Sequence, residues 1–148
     1  MARTKPPADL PLDQIVRIAA FRSELRGFLR HSERVGRNWN LTPQRYTLLL
    51  AIKGAPDGSE RLSFTELARR LHLSPNTVTE LCARAEAAGL IRREPSERDL
   101  RVVYLRLTRE GERRLQGALR ENEQYRHELA EAFNVLTESF QVATGRGG

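Results

Sequence analysis

The run SFTELARRLHLSPNTVTELCARAEAAG, residues 63–89, holds two helix starts with only a short turn between them. Ser63-Phe64-Thr65-Glu66 is a capping box, in which the serine oxygen satisfies an orphan amide and the Glu66 carboxylate returns to the cap. Leu67, Ala68 and Leu71 then fall on the inner face of a short helix. His72-Leu73 makes a brief turn whose leucine is expected to be buried. Ser74-Pro75 opens a second helix with another hydroxyl cap and a first-turn proline. That helix runs unbroken to Gly89, a residue suited to the left-handed stop position. Two short helices joined by so brief a turn form a helix-turn-helix.

Beyond Gly89 the periodicity changes. Ile91-Arg92-Arg93-Glu94 and the run from Val102 to Leu107 read as two short strands, joined by a polar tip from Pro95 to Arg101. A ribbon beside a helix-turn-helix is a wing. Thr108 then caps a helix in which Leu115, Ala118, Leu119, Tyr125, Leu129, Ala132, Phe133, Leu136 and Phe140 recur at a near-heptad period. No Pro or Gly interrupts it between Gly117 and Gly145, so one long helix is expected. Upstream, Thr42-Pro43 opens a helix carrying Tyr46, Leu49 and Leu50, which ends at Gly54 and the Pro56-Asp57-Gly58 turn. Before it, Ile15, Ile18, Ala19, Leu25, Phe28 and Leu29 mark a helix from Pro11 to about Asn38. Arg22, Arg26, Arg30 and Arg34 form a second strip there, which reads as a solvated face in preference to a binding surface.

These elements give a mainly α fold with a small β-wing. A winged helix-turn-helix unit over residues 42–107 lies within a single domain spanning 11–144. Long N- and C-terminal dimerisation helices, at 11–40 and 108–144, flank it, with a disordered arm at 1–10 and a frayed tail at 145–148. A winged unit of this size closes its own core. That leaves the apolar stripes of the terminal helices without a partner inside it. Each large apolar side chain buried there recovers about 1.5–3 kcal/mol, which favours packing against a second copy over a monomer folded back on itself. A two-fold dimer also matches a palindromic duplex.

Composition narrows the class. The chain has 148 residues and 16.9 kDa, with 39% hydrophobic and 30% charged residues. Its longest strong apolar run, Leu48 to Ile52, is far short of the roughly 20 residues a spanning helix needs. The N-terminus lacks the apolar core of a secretory signal. Cys82 stands alone, and His31, His72 and His127 have no metal-ligand spacing. A soluble, cytoplasmic protein without a metal or cofactor is expected. The net charge is +6 with a pI of about 10.4, carried by 23 arginines and two lysines. Residues 1–46 hold nine basic and four acidic groups, residues 61–106 nine and six, and the rest from 107 onward six and seven. The excess therefore sits in the first two-thirds and suits a polyanionic partner.

Several motifs in order carry a resemblance. These are Thr42-Pro43-Gln44, Leu67-Ala68 through Leu73-Ser74, Val78-Thr79, Ala88-Gly89-Leu90-Ile91-Arg92-Arg93, Asp99-Leu100-Arg101 and Leu107-Thr108-Arg109-Glu110-Gly111. Together they resemble the MarR family of bacterial transcriptional regulators over about residues 12–135. The resemblance implies a winged helix-turn-helix homodimer that represses, or less often activates, transcription and releases DNA when a small ligand binds. It also implies a C-terminal region often broken into two helices, which the residues here do not announce.

On the second helix of the motif, Val78, Leu81, Cys82 and Ala85 share the core face, and Asn76, Glu80, Ala83 and Ala87 lie opposite. Recognition helices read base edges from their N-terminal half. Asn76, Thr77 and Glu80 are therefore the candidates, since Asn pairs with adenine, Thr touches thymine and Glu accepts from cytosine. Ser74 and Arg84 are placed for phosphates. First-turn capping is the plainer role for Asn76 and Thr77. On the wing, Arg98 and Arg101 suit a narrow, electronegative minor groove. Asp99 either orients Arg101 through a charge-assisted pairing or merely stabilises the turn. Phe28, His31, Trp39 and Tyr46 are the aromatic groups that could line a pocket for a small aromatic or anionic effector, though each is ordinary core chemistry too. Cys82, on an inner face, reads as an inert hydrophobe before it reads as a redox sensor.

Two rival classes are weighed against a DNA-binding homodimer. An enzyme is disfavoured, because there is no nucleophile elbow with Ser-His-Asp order, no phosphate-cradling Gly-rich loop and no carboxylate pair in an apolar setting. A winged-helix protein–protein adaptor without sequence-specific DNA binding is the other, separable by the salt dependence of duplex binding.

Overall fold

Four hydroxyl side chains set the helix starts in the middle of the chain. Thr42 Oγ1 accepts from the Arg45 amide, Ser63 Oγ from Glu66, Ser74 Oγ from Thr77 and Thr108 Oγ1 from Gly111, at 3.1–3.2 Å. Each satisfies a first-turn N–H that the helix itself cannot reach. The computed structural model describes residues 8–144, with the side chains described to Glu138. Residues 1–7 of the arm, the tail at 145–148 and the Phe140 side chain lie outside the described residues.

The elements run α1 (Leu12–Asn38), α2 (Pro43–Lys53), β1 (Arg61–Ser63), α3 (Phe64–Leu71), α4 (Pro75–Ala87), β2 (Ile91–Pro95), β3 (Val103–Leu107), α5 (Arg109–Glu121) and α6 (Glu123–Thr144). They divide into two compact units. The winged unit comprises residues 32–122, and the helical unit comprises residues up to 31 together with those from 123 onward.

In the winged unit the sheet order is β1-β3-β2, antiparallel throughout, with Leu62 opposite Leu105 and Ile91 opposite Leu107. Leu62, Leu105, Ile91 and Leu107 are buried against Leu48, Leu49 and Ile52 of α2, Leu67 of α3, Val78 and Leu81 of α4, and Leu115 of α5. Gly89 takes a left-handed φ of 74° after the last turn of α4, as the stop position requires. Gly111 is held by a different demand. A Cβ there would collide with the Leu90 carbonyl, because α5 begins directly against that backbone.

Four expectations change. A third strand, β1, was hidden: it is three residues long, with only Leu62 buried, and its last residue is also the cap of α3. The capping box is half formed, since the Ser63 hydroxyl donates to Glu66 Oε1 at 3.1 Å instead of the carboxylate returning to the cap amide. Leu73 is not buried but 38% exposed, because His72 adopts a left-handed conformation that turns the chain outward before α4. The C-terminal region, which the residues read as one helix and the resemblance as two, is two, divided at Asn122. That asparagine is almost wholly buried and donates through Nδ2 to Ser32 Oγ at 2.6 Å, which ties the junction of α5 and α6 to α1.

In the helical unit, the N-terminal part of α1 and α6 meet through Phe21 and Phe133, with ring centroids 5.8 Å apart, and through His31 stacked on Tyr125 at 3.3 Å. Ile18, Leu25 and Phe28 are half-buried, whereas Ile15 and Leu29 are exposed. Arg22, Arg26, Arg30 and Arg34 all face solvent, as a solvated strip would. Among the described residues, no helix is long and apolar enough to cross a membrane.

The Leu90–Gly111 approach makes a test. Gly111→Ala should cost about 1–3 kcal/mol as an overpacked site. Urea unfolding followed by Trp39 fluorescence measures it, and an unchanged midpoint would mean that α5 lifts from Leu90 without penalty.

Candidate nucleic-acid interface

The outer face of α4 follows from its inner one. Val78, Leu81, Cys82 and Ala85 are buried, and this turns Asn76, Thr77, Glu80, Ala83, Arg84 and Ala87 to solvent. The sequence pattern had assigned both faces in this way. The first turn is held by a double hydroxyl contact: Ser74 Oγ accepts the Thr77 amide and lies 2.8 Å from Thr77 Oγ1. Thr79 Oγ1 donates back to the Pro75 carbonyl at 2.9 Å. Asn76 is exposed, and its side chain has no hydrogen-bond partner among the described residues, so its side-chain amide is available to a ligand. Glu80 and Arg84 approach to 3.6 Å while their side chains stay 72% and 62% exposed. A pair so wet holds little energy and opens readily.

The wing is built more tightly than its polar sequence suggests. Ser96 is buried, its amide donates to the Val102 carbonyl at 3.0 Å, and its Oγ accepts from both Arg98 and Asp99 amides at 3.2 Å. The Val102 amide donates to the Asp99 carbonyl at 3.0 Å, closing a four-residue turn with Leu100 and Arg101 at its centre. One oxygen, Asp99 Oδ1, accepts from the Arg101 amide at 3.0 Å and from Arg101 Nε at 3.2 Å. Both roles weighed for Asp99, turn-former and orienter of Arg101, thus meet in a single atom. The Arg101 side chain is otherwise 90% exposed. Ser96 was not singled out from the sequence. Its signal was a serine two residues before Arg98 and three before Asp99, the spacing of a hydroxyl-closed turn.

Arg93 is placed differently from the wing-tip arginines. Its Nε lies 3.2 Å from Glu86 Oε2 and its guanidinium 5.3 Å from the centre of the Phe64 ring, so it braces β2 against α3 and α4. A cleft of about 300 Å³ lies between α2 and α4, lined by Pro43, Gln44, Thr47, Leu71, Leu73, Thr77, Leu81 and Arg84. It explains how Leu73 is half out of the core.

The four aromatic pocket candidates divide between the units. In the helical unit Phe28 lines a cleft of about 260 Å³ with Ser23, Glu24, Gly27, Tyr125, Glu128 and Leu129. His31 stacks on Tyr125. In the winged unit Trp39 lies against Gly117 and donates through Nε1 to Glu121 at 2.8 Å, while Tyr46 packs on Gly36. The carboxylates of Glu24 and Glu128 beside Phe28 oppose an anionic ligand in that cleft. No group of His, Cys, Asp and Glu suited to a metal ion occurs among the described residues.

A MarR family model matches residues 39–101. Among solved structures, the chain is similar to RV1404 from Mycobacterium tuberculosis, with a TM-score of 0.68 and 19% identity over 97% of this chain and 99% of that one. It is similar to Sco3205, a MarR family transcriptional regulator from Streptomyces coelicolor in complex with DNA, with a TM-score of 0.67 and 23% identity over 98% and 94%. A mutant MarR from E. coli complexed with operator DNA gives a TM-score of 0.64 and 19% identity over 94% and 99%. No curated protein matches the sequence at a significant level. The likeness at these identities establishes the fold, which is that of MarR family transcriptional regulators with a mainly helical chain and a small three-stranded sheet.

Cys82 sits behind the outer face of α4, and burial pushes its thiol up to about 11, only partly offset by the positive charge of Arg93. The thiolate is the reactive form, so the folded protein presents almost none of it at pH 8. Iodoacetamide at that pH should leave folded Cys82 unmodified over a period that fully labels the urea-unfolded chain. Rapid labelling of the folded protein would show that α4 leaves its core contacts.

Proposed function

We propose that this chain, in which a MarR family model matches residues 39–101, is a DNA-binding transcriptional regulator that acts as a homodimer on a palindromic operator and represses by occupying it. The observation that carries this reading is the wing: an exposed arginine hydrogen-bonded to Asp99 in a closed turn, in the same unit as a helix whose outer face has no bulk at Ala83 and Ala87. Asn76, Thr77 and Glu80 read base edges in the major groove, with Glu80 released from Arg84 on docking. Ser74 and Arg84 meet phosphates. Arg98 and Arg101 reach the minor groove. The net charge of +6 supports a polyanionic partner. Two of the similar structures were solved with DNA, which supports the same assignment.

The dimer rests on the helical unit. Leu12, Ile15, Val16, Phe133 and Val135 are exposed there at 48–75%, an amount of apolar surface that a second copy would cover. The cleft beside Phe28 is where a small aromatic effector would bias the helical unit. The cytoplasm is the compartment this function requires.

Two measurements test the reading. Light scattering at micromolar concentration should return about twice 16.9 kDa, and a persistent monomer would remove the palindromic operator along with the dimer. Duplexes selected from the host's own genomic DNA should bind with a steep salt dependence. In that assay Arg101→Ala should reduce the slope of log K against log salt by about one. Asp99→Ala should weaken binding even though it makes the protein more positive. Tighter binding by Asp99→Ala at every salt concentration would leave Asp99 as a turn residue only.

A further inference from the structure

The two central positions of the wing-tip turn are Leu100 and Arg101, and their neighbours explain only one of them. Arg101 is oriented by Asp99 Oδ1. Leu100 is 89% exposed, more than any other large apolar side chain described, and it is the one such residue on the wing. Exposed turn centres ordinarily carry Gly, Pro, Asn, Asp or Ser, each for a backbone reason that leucine does not supply. Nothing in the turn depends on this side chain either. The closure runs from Val102 to the Asp99 carbonyl and from Ser96 to three partners, all through backbone or polar atoms. The turn is therefore closed without Leu100, and it presents the leucine at its apex, one residue before Arg101 and two after Arg98.

We propose that Leu100 is an apolar wedge that the wing delivers into the DNA minor groove beside Arg101, where it packs on the sugar walls and base edges and favours an easily deformed step. The inference rests on the DNA-binding reading above and adds to it a contact of a different kind. The minor groove offers apolar surface on its walls, and architectural proteins press Leu, Ile, Phe or Met against base steps there. Arginine supplies attraction that salt screens. A leucine held beside it supplies attraction that salt does not screen, because no counterion is released when apolar surfaces meet. The fixed turn limits the entropy lost on docking, since the loop is already in its bound shape. Pyrimidine–purine steps unstack most easily, so the wedge contributes selectivity at a position where no base edge is hydrogen-bonded.

The test uses the full-length protein and a fluorescein-labelled duplex made from its tightest-binding genomic fragment, with anisotropy measured across a salt series. Leu100→Ala should weaken binding about tenfold at every salt concentration, the loss expected for most of a leucine's burial. Its salt slope should match that of the wild type. Leu100→Lys should show a slope steeper by about one and still bind more weakly than the wild type at high salt. Both variants should melt at the wild-type temperature, because the side chain touches nothing in the free protein. Equal affinity of Leu100→Ala and the wild type would overturn the wedge while leaving DNA binding intact, and would turn attention to a protein partner for Leu100. A loss confined to low salt would also overturn it, because the leucine would then act only through Arg101. A wild-type protein that binds no duplex would overturn both readings together.

Discussion

The arrangement of the winged unit depends on one small contact, the Thr108 side chain against the Gly89-Leu90 backbone. The Thr108 hydroxyl donates to the Gly89 carbonyl at 2.6 Å, its amide donates to the Leu90 carbonyl at 3.0 Å, and the same hydroxyl accepts from Gly111. Three elements meet there: the end of α4, the exit of β3 and the start of α5. Gly89 supplies the left-handed turn that brings the chain out of α4 into β2 within three residues. Gly111 supplies the absence of a Cβ that lets α5 begin against Leu90. Ile91 then pairs with Leu107, the residue just before Thr108, so the base of the wing is closed by the same junction. The outer face of α4 and the base of the wing are consequently fixed to one another by backbone geometry and one hydroxyl.

Such a small unit also has to manage its own positive charge. Across the sheet Arg61 stands opposite Arg106, and Arg106 stands opposite Arg92, a row of like charges that is unfavourable by itself. Glu94 resolves it by contacting Arg61 at 3.1 Å and Arg106 at 3.5 Å, and the Arg61 guanidinium holds its carboxyl below the usual carboxylate range. Glu60 joins Arg106 to Lys53, and Glu112 ties Lys53 to α5 at 2.6 Å, raising the lysine's affinity for its proton. Arg61, Arg106 and Lys53 are thus compensated by carboxylates from other parts of the unit. Those on the outward face are treated otherwise: Arg84 has only a loose partner one turn away, and Asp99 aims Arg101 without enclosing it.

How much of this could be read in advance depends on how local each cause is. The four caps, the left-handed Gly89 and the inner face of α4 were legible because each is written in residues three or four apart. The wing was legible because its alternation lasts long enough to differ from a helix. β1 was not, since three residues give no alternation to detect and its pairing partner lies more than forty positions away. The division at Asn122 was invisible for the same reason, because Ser32, which holds the side chain, is ninety residues distant. Leu73 misled because apolarity was taken for burial, whereas the left-handed His72 decides where the chain goes. Among the site residues, the outward positions on α4 followed from periodicity, but the state of each did not. That Thr77 is engaged by Ser74, and Asn76 is unengaged, depends on hydroxyl rotamers no sequence pattern contains.

The tight junction at Thr108 also constrains how DNA contact could be gained or lost. Only Ala88, Gly89 and Leu90 separate α4 from β2, and the carbonyls of the last two are tied down by Thr108, so α4 cannot rotate without dragging the wing with it. The tip has its own closure through Ser96 and Asp99, so it does not flex independently of β2 and β3 either. Major-groove and minor-groove contacts would then be made by one rigid body. They would rise and fall together instead of being tuned one by one. Local melting of the unit would have to expose Leu90, Ile91 and Leu107, each almost fully buried, at about 1.5–3 kcal/mol per side chain.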